Sequence, residues 1–460
     1  MRAARSLTII AMRFETLISS ITLAAIVAGA TPLDAQSRTR KSASRPTRNA
    51  PAKKPAPPTP TSAAPTASEN MLGSSGNVVD ERQLYLNAAR IAWTFVDRNY
   101  QSSTGLARAH DTYQYVTIWD VASAFAATYS AHELGLITDD VYTQRIQRGL
   151  ATLSTMDLFD GAAFNKSYDS KTGRMIDRRE RISSKGYGWS TTDIGRLLIW
   201  LRILAVNQPQ FAPQAAAITK RLNISRLIAG GYLQGTDVDP TTNGLRVYPE
   251  GRMGYEQYAA AGFALWGFRA DKALDARVNA LPVTVLGVSI VADRRGDERI
   301  TSEPYIMMGM ETGWYSPELR EQAWRILAAQ EARYKSTGVM TMVSEDALPD
   351  PPYYFYYYNI YRQGRTFAVD APAGRNFVDN PRWLSSKAAF AWHALIPTPY
   401  TLAAVQTVQA AGVSGRGWGA GVYEGTHRPT GDASLNTAAL ILEAAAYNLR
   451  GHPFLAVRLD

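Results

Sequence analysis

Acidic residues stand beside aromatic ones where several helices are predicted to begin. The clearest cases are Trp119-Asp120 and Tyr255-Glu256, and a further acid of this kind is Glu303. Two carboxyl groups in one cleft can cleave a glycosidic bond, one as general acid and the other as base or nucleophile. Flat aromatic rings stack on the C–H faces of sugars. Glycan hydrolysis is therefore the chemistry that these residue types suit best.

Five carboxylates are candidates for the catalytic pair. The predicted general acid is Glu256 or Glu303, and the predicted base or water-positioning residue is Asp120, Glu345 or Asp193. Asp120 and Asp193 each follow a Thr or Ser by three residues, so a capping box that only closes the helix is an equally good interpretation of either one. We expect inversion, with the acid–base order left open.

The residues predicted to bind sugar are aromatic or polar and lie near helix starts or in a Tyr-rich segment. They are Trp119, Trp189, Tyr255, Gln257, Asp346, Tyr354, Tyr357, Tyr358, Asn359, Tyr361, Lys387, Tyr423, Glu424 and Asn436.

The segment 344–361, SEDALPDPPYYFYYYNIY, contributes six of these candidates, all between Asp346 and Tyr361. Its aromatic residues do not alternate with polar ones, and its three prolines disfavour a central strand. We predict a long loop over the mouth of the cleft, with its tyrosines facing sugar and Glu345 or Asp346 facing the scissile bond.

Other chemistries fit the sequence less well. It contains no Cys, and its five His residues show no metal-ligand spacing. The serine-hydrolase motif Gly-x-Ser-x-Gly and the phosphate-binding motif Gly-x-x-x-x-Gly-Lys-Ser/Thr are absent. We expect neither a metal nor a cofactor.

The elements that must position these residues form a repeating alternation. Amphipathic segments, each followed by a segment with little polar surface, predict outer helices paired with inner ones. The outer segments are 80–100, 139–156, 211–229, 271–281, 316–336 and 398–412, and the inner segments are 117–135, 190–206, 255–268, 303–312, 386–396 and 434–449. Six pairs predict an all-α fold, an (α/α)6 toroid with small β insertions such as 281–293, and an open α-solenoid is the alternative.

The N-terminal region differs from the rest of the chain. Residues 1–35 have a basic start, the apolar run LISSITLAAIVAGA and small residues after it, which predicts a signal peptide; an uncleaved membrane anchor is the alternative. Residues 36–78 predict a disordered, basic linker rich in Pro, Ala, Ser and Thr, which could associate with the cell envelope. Residues 79–460 are predicted to be one domain, monomeric and either periplasmic or secreted.

Charge argues against a nucleic-acid partner. The net charge is +9, but residues 1–78 hold 10 Lys and Arg against 3 Asp and Glu, so the predicted domain is close to neutral. Nucleic-acid binding needs basic residues clustered on the folded part. The expected partner is an oligosaccharide or polysaccharide.

Several motifs together resemble a known bacterial envelope family, domain of unknown function 3131. They are WDVAS, GWSTTDIGRLL, GYEQYAA, TSEPY, LSSKAAFAWHAL and GVYEGT, in this order along residues 80–450. The domain is similar, more distantly, to glycoamylase-like domains associated with β-1,2-glucan. The resemblance implies an (α/α)6 toroid and a polysaccharide substrate.

The leading functional hypothesis is an exported glycoside hydrolase acting on a bacterial glucan or exopolysaccharide. A non-catalytic polysaccharide-binding protein of glycan export would use the same cleft. A polysaccharide lyase, with Tyr and Arg or His abstracting a proton beside a uronate, is the third hypothesis.

Overall fold

The computed structural model describes residues 80–296, 298–371 and 377–457. The predicted signal peptide (1–35) and linker (36–78) lie outside these ranges. Within them, no helix combines the length and the hydropathy that crossing a membrane requires.

Helices contain more of the described residues than strands do. The helices are α1 (Glu81–Asn99), α2 (Ile118–Glu133), α3 (Asp139–Thr155), α4 (Thr191–Asn207), α5 (Ala212–Lys220), α6 (Ile224–Leu227), α7 (Tyr255–Ala264), α8 (Asp271–Leu274), α9 (Glu303–Glu311), α10 (Pro317–Thr337), α11 (Ser386–Leu395), α12 (Pro399–Val408) and α13 (Leu435–Arg450). A mainly helical chain with small β insertions is what the sequence predicted.

Strands occupy the connections between helices. They are β1 (Tyr115–Thr117), β2 (Leu158–Phe159), β3 (Ala163–Phe164), β4 (Ser167–Asp169), β5 (Ile228–Ala229), β6 (Tyr232–Val238), β7 (Leu245–Pro249), β8 (Ala280–Val285), β9 (Val288–Asp293), β10 (Glu345–Ala347), β11 (Phe355–Arg362), β12 (Arg365–Asp370), β13 (Phe377–Val378), β14 (Trp383–Ser385), β15 (Gly412–Val413), β16 (Gly417–Trp418) and β17 (Gly421–Tyr423). All pairings between these strands are antiparallel. The largest sheet has four strands in the order β10-β11-β12-β13.

Six helices contact one another in a circular order. The sequence of contacts is α2, α4, α7, α9, α11, α13 and back to α2. A second helix packs against each of them, namely α3 on α2, α5 on α4, α8 on α7, α10 on α9, α12 on α11 and α1 on α13. An open solenoid would leave its first and last inner helices apart, whereas α13 packs against α2.

The apolar pattern explains which helices are central. In α1 the buried residues recur every three or four positions, from Tyr85 to Asn99, so one face is buried. In α9 all nine residues are buried. A helix that is apolar all round is stable only where other elements cover every face, which is the position that α9 occupies.

Two predicted outer helices are shorter than the sequence indicated. The segment 271–281 contains only the single turn α8, and the segment 211–229 contains α5, α6 and β5. In the first case a β-hairpin of β8 and β9 begins at Ala280, close to the strand pattern predicted at 281–293. Val and Thr residues alternate there with a period of two, which favours a strand over the continuation of a helix.

The prediction of a loop over 344–361 was wrong. Phe355–Arg362 is strand β11, which pairs with β10 on one side and β12 on the other. The residues from Tyr356 to Ile360 are all buried. A strand covered on both faces needs no polar alternation, so its aromatic run was misread. The prolines lie in the turn before β11 and therefore interrupt no hydrogen-bond ladder.

Helices α4 and α7 approach closely at two glycines. A Cβ atom added to Gly262 would collide with the Gly195 carbonyl oxygen, and one added to Gly195 would lie 2.5 Å from Ala259 Cα. We expect Gly262→Ala to lower the free energy of unfolding by about 3 kcal/mol, because the helices must separate to admit the methyl group. Chemical denaturation measures this loss. Gly425→Ala is the control, since its added Cβ meets nothing within 4 Å; equal losses in both variants would contradict the close approach.

Candidate active site

Polar side chains from the first turns of three central helices meet at one end of the helix circle. Glu303 begins α9, Lys387 is the second residue of α11 and Asn436 is the second residue of α13. Asn436 Nδ2 donates to Glu303 Oε1 at 2.7 Å, and Lys387 Nζ forms an ion pair with Glu303 Oε2. Residues that the sequence placed at separate helix starts therefore share one cluster.

Glu303 is fully buried and accepts hydrogen bonds from three donors. Besides Lys387 and Asn436, the Ser344 hydroxyl donates to Glu303 Oε2 at 3.2 Å. The Lys387 ammonium and the Asn436 Nδ2 group can only donate, so their contacts need Glu303 oxygens that accept. With 0% of its surface exposed, Glu303 has no direct access to solvent.

Glu345 lies beside Glu303 but reaches the surface, with 12% of its side chain exposed. The Tyr255 hydroxyl donates to Glu345 Oε1, and Arg252 Nη2 donates to Oε2 at 2.9 Å. Burial, together with the nearby charge of Glu303, raises the pKa of Glu345 to about 7 despite Arg252. Burial and the Glu303 charge thus favour the protonated form of this carboxyl group.

Asp346 follows Glu345 and is tied into the interior. Trp383 Nε1 donates to Asp346 Oδ2 at 2.8 Å, and Lys387 Nζ lies 3.3 Å from Oδ1. Burial raises the pKa of Asp346 to about 6, although the Lys387 ammonium opposes this rise. Lys387 also donates to the Glu345 backbone carbonyl at 2.6 Å, so this cation joins two helices to β10.

Asp120 completes the capping box that the sequence allowed, whereas Asp193 contacts the Ser190 hydroxyl but not the Ser190 backbone N–H. Asp120 Oδ2 accepts from the Thr117 hydroxyl at 2.6 Å and from its backbone N–H at 3.2 Å. Asp193 Oδ1 accepts from the Ser190 hydroxyl at 3.0 Å. Burial raises the pKa of both, that of Asp193 to about 7 with Glu250 as a further cause.

Glu256 does not join this cluster. Its carboxylate accepts paired hydrogen bonds from Arg295, at 3.0 Å and 2.6 Å, and Arg295 also pairs with Asp293 of β9. The ring of the preceding residue, Tyr255, by contrast reaches Glu345. Two adjacent residues of α7 therefore differ in their surroundings: Tyr255 contacts the site, whereas Glu256 belongs to an ion-pair network.

The predicted aromatic platforms divide into open and closed rings. Trp119 is half-buried, and its ring centroid lies 5.7 Å from that of Tyr255. Trp189 is only 1% exposed and donates from Nε1 to the Gln234 carbonyl at 2.8 Å, so it has no surface left for sugar. Gln257 Oε1 accepts from the Gly254 N–H at 2.7 Å and thus caps α7.

Most candidates on β11 point into protein rather than into a cleft. The Tyr358 hydroxyl donates to Glu424 at 2.7 Å, and Asn359 Nδ2 donates to Asp370 at 2.7 Å. Tyr357 is buried between two arginines, with the Arg252 guanidinium 4.9 Å from its ring centroid. The half-exposed candidates of this region are Tyr354, Tyr361 and Tyr423, and the Tyr423 hydroxyl donates to Asp350.

Sequence reasoning missed four residues of the site. Arg252 and Ser344 contact Glu345 and Glu303, as described above. Glu250 accepts from the Thr191 N–H and hydroxyl at 2.5 Å and 2.7 Å, and so caps α4 from another segment. Arg196 donates to Asn436 Oδ1 at 2.9 Å. Arg252 and Ser344 had a local signal, because Arg252 lies three residues before Tyr255 and Ser344 directly precedes Glu345.

No metal centre is evident in this arrangement. Across residues 80–296, 298–371 and 377–457, no group of three or more His, Cys, Asp or Glu side chains has a geometry that could hold an ion. Of the acids described above, Glu303 and Asp346 pair with Lys387, Glu345 pairs with Arg252, and Glu256 pairs with Arg295.

The fold is shared with structures of carbohydrate-active proteins. A glucoamylase-like protein from Bacteroides caccae matches with a TM-score of 0.59 at 14% identity, over 81% of this chain and 94% of its own. An endo-β-1,2-glucanase from Chitinophaga pinensis, in complex with sophorotriose and glucose, matches with a TM-score of 0.57 at 13% identity, over 81% and 94%. One from Talaromyces funiculosus, in complex with β-1,2-glucan, matches with a TM-score of 0.56 at 11% identity, over 81% and 85%.

These likenesses define a protein with a glycoside hydrolase-like fold. Among proteins of curated function, no sequence match was found. Residues 87–451 match the family described as "Protein of unknown function (DUF3131)", so the chain belongs to that family, as its motifs indicated.

Proposed function

We propose that this protein is an exported glycoside hydrolase that cleaves a bacterial glucan or exopolysaccharide, with Glu345 as general acid. The observation that carries the proposal is a partly exposed carboxyl group whose pKa is about 7, next to the ring pair Trp119 and Tyr255. A general acid needs a proton near working pH and access to the leaving oxygen. Glu345 meets both conditions, whereas Glu303 is closed to solvent.

Asp120 is the proposed base. Burial raises the pKa of Asp120, but two hydrogen bonds from Thr117 to its Oδ2 and the charge of Arg196 oppose this rise and favour the ionised form. It belongs to α2, whereas Glu345 contacts α7 and α11 on another part of the helix circle. A water molecule between the two carboxyl groups would attack the sugar with inversion.

The substrate is proposed to be a neutral glycan. The candidate site holds more carboxylates than cations, and its cations Lys387 and Arg252 are already paired with acids. A uronate chain would be repelled there, which disfavours a lyase. The likeness to two β-1,2-glucanases supports a glucan as the first substrate to test.

We further propose that the helices form an (α/α)6 toroid, on the support of their circular contacts and the structural likeness. Export by a signal peptide at 1–35, a monomeric state and envelope association through 36–78 remain parts of the same proposal. Edman sequencing of the protein recovered from the native periplasm or medium tests cleavage of the leader.

Digestion of a glycan panel by the full-length protein tests the activity. We expect reducing ends from a neutral glucan, with β-1,2-glucan as the first member, and no ultraviolet-absorbing ends from acidic polysaccharides. Proton NMR of the newly formed anomeric centre reports inversion or retention. Binding without cleavage would favour a non-catalytic protein, and unsaturated products would favour a lyase; either result would overturn the hydrolase proposal.

A further inference from the structure

A fully buried polar cluster lies directly beneath the candidate site. Arg196 of α4 donates to Asn436 Oδ1 at 2.9 Å, and it pairs with Glu443 at 3.3 Å. A further carboxylate, Glu311, lies 4.0 Å from Arg196 Nε. In the proposed hydrolysis Arg196 acts only through its charge on Asp120, and neither Glu443 nor Glu311 has a role there.

The cluster determines how the Asn436 amide is turned. Its Oδ1 accepts from Arg196 Nη1 and from Trp119 Nε1 at 3.3 Å, and both of these groups can only donate. The Nδ2 group must therefore face Glu303 Oε1, where it lies at 2.7 Å. Because Nδ2 can only donate, it favours a Glu303 oxygen that carries no proton.

Glu303 is also linked to the chain around Glu345, through the side chain of the preceding residue and through Lys387. The Ser344 side chain donates to Glu303 Oε2, and the cation paired with that oxygen, Lys387, donates to the Glu345 carbonyl. A buried negative charge is thus held next to a partly exposed carboxyl group. Like charges disfavour each other's ionisation, so this charge opposes loss of the Glu345 proton.

We propose that Glu303 is a positioning residue whose buried charge keeps the proton on Glu345, and that Arg196 and Asn436 hold Glu303 in the ionised form for this role. The inference rests on the proposed function, in which Glu345 is the general acid. It assigns Glu303 a different role from the general acid that the sequence predicted.

Other charged and titratable groups also face Glu345 and act on its proton. Arg252 and Lys387 oppose the protonated form, whereas Glu303 favours it. The groups packed around Glu345 are Arg252 and Tyr255 at the start of α7, Glu303 on α9, Tyr357 on β11, Lys387 on α11 and the neighbouring Asp346. Removal of the Glu303 charge takes away an effect that raises the Glu345 pKa. It also removes one of the acids that neutralise Lys387, whose charge lowers the Glu345 pKa. Both changes therefore lower the Glu345 pKa.

The test compares the pH dependence of glucan cleavage in Glu303→Gln with that in the unaltered protein. Activity that needs a protonated Glu345 declines as the pH rises, and we expect this basic limb to move down by about one pH unit in the variant. Glu303→Asp keeps the charge and should retain the original limb. Asn436→Ala, which removes one donor, should move it in the same direction by less.

Glu133→Gln is the control, because Glu133 pairs with Arg450 at the opposite end of α2, away from Glu303 and Glu345. A basic limb that stays in place in Glu303→Gln while only the melting temperature falls would overturn the inference and leave Glu303 a purely structural residue. An equal shift in Glu133→Gln would overturn it as well, since the effect would then be non-specific.

A spectroscopic measurement separates this inference from the proposed activity. In protein labelled with ¹³C at Glu carboxyl carbons, the Glu345 resonance is identified by its loss in Glu345→Gln. We expect it to titrate at lower pH in Glu303→Gln whether or not the protein cleaves any glycan. An unchanged titration overturns the role of Glu303, whereas a shifted titration without cleavage overturns only the hydrolase proposal.

Discussion

Replacement of Glu345 by Gln is expected to reduce glucan cleavage by about a thousandfold while glycan binding persists. The amide has nearly the same shape, but it cannot supply the proton that the leaving oxygen needs, and general acid catalysis contributes about 10²- to 10⁴-fold. Initial rates on the glucan identified by panel digestion, with calorimetry of oligosaccharide binding, measure the two effects separately.

The pH dependence of cleavage provides the second readout for Glu345. Because burial and Glu303 raise its pKa to about 7, the acid form is present below that pH and is lost above it. The unaltered protein should therefore lose activity as the pH rises through about 7. Glu133→Gln, at the opposite end of α2 where Glu133 pairs with Arg450, should change neither rate nor profile. Full activity in Glu345→Gln would exclude this residue as the acid.

Replacement of Lys387 by Met is expected to be the most destabilising single change in the site. The side chain is 2% exposed and pairs with two acids, Glu303 and Asp346, that are each 1% exposed. Removal of the cation leaves both carboxyl groups buried without their partner, a loss that costs about 3–5 kcal/mol. Chemical denaturation of the variant and the unaltered protein at the same pH measures it.

Two comparisons sharpen the Lys387 prediction. Lys335→Met removes an exposed pair with Glu331 on α10 and should cost less than about 1 kcal/mol. The double variant of Lys387→Met and Glu303→Gln should recover part of the loss, because one of the two abandoned charges is then gone. Equal stability of Lys387→Met, Lys335→Met and the double variant would show that the Lys387–Glu303 ion pair does not stabilise the site.

The alternation of exposed and buried helices could be predicted from the sequence because it is a local property. Apolar residues at helical spacing, as in Glu81–Asn99, indicate one buried face, and an apolar segment such as Glu303–Glu311 indicates burial all round. Where the local pattern was ambiguous the prediction failed. The tyrosines of β11 are buried because sheet neighbours and helices cover both faces, and no pattern within the segment reveals such neighbours.

The two candidate acids at helix starts could not be distinguished by their local sequence either. Glu256 and Glu303 are both first-turn acids of central helices, and the sequence ranked them equally. Arg295, which follows the β8–β9 hairpin, engages Glu256, whereas Lys387 engages Glu303. The cations that distinguish the two acids come from distant segments of the chain.

By itself, the sequence determined that polar and aromatic residues collect at the starts of apolar helices, because helical periodicity and capping depend on residues only a few positions apart. Only the tertiary structure decided which of these residues form a site. Asn436 and Glu303 are 133 positions apart, and their hydrogen bond exists because the helix circle brings α13 beside α9. The raised pKa of Glu345 likewise depends on burial, Arg252 and Glu303, which only the folded chain brings together around that residue.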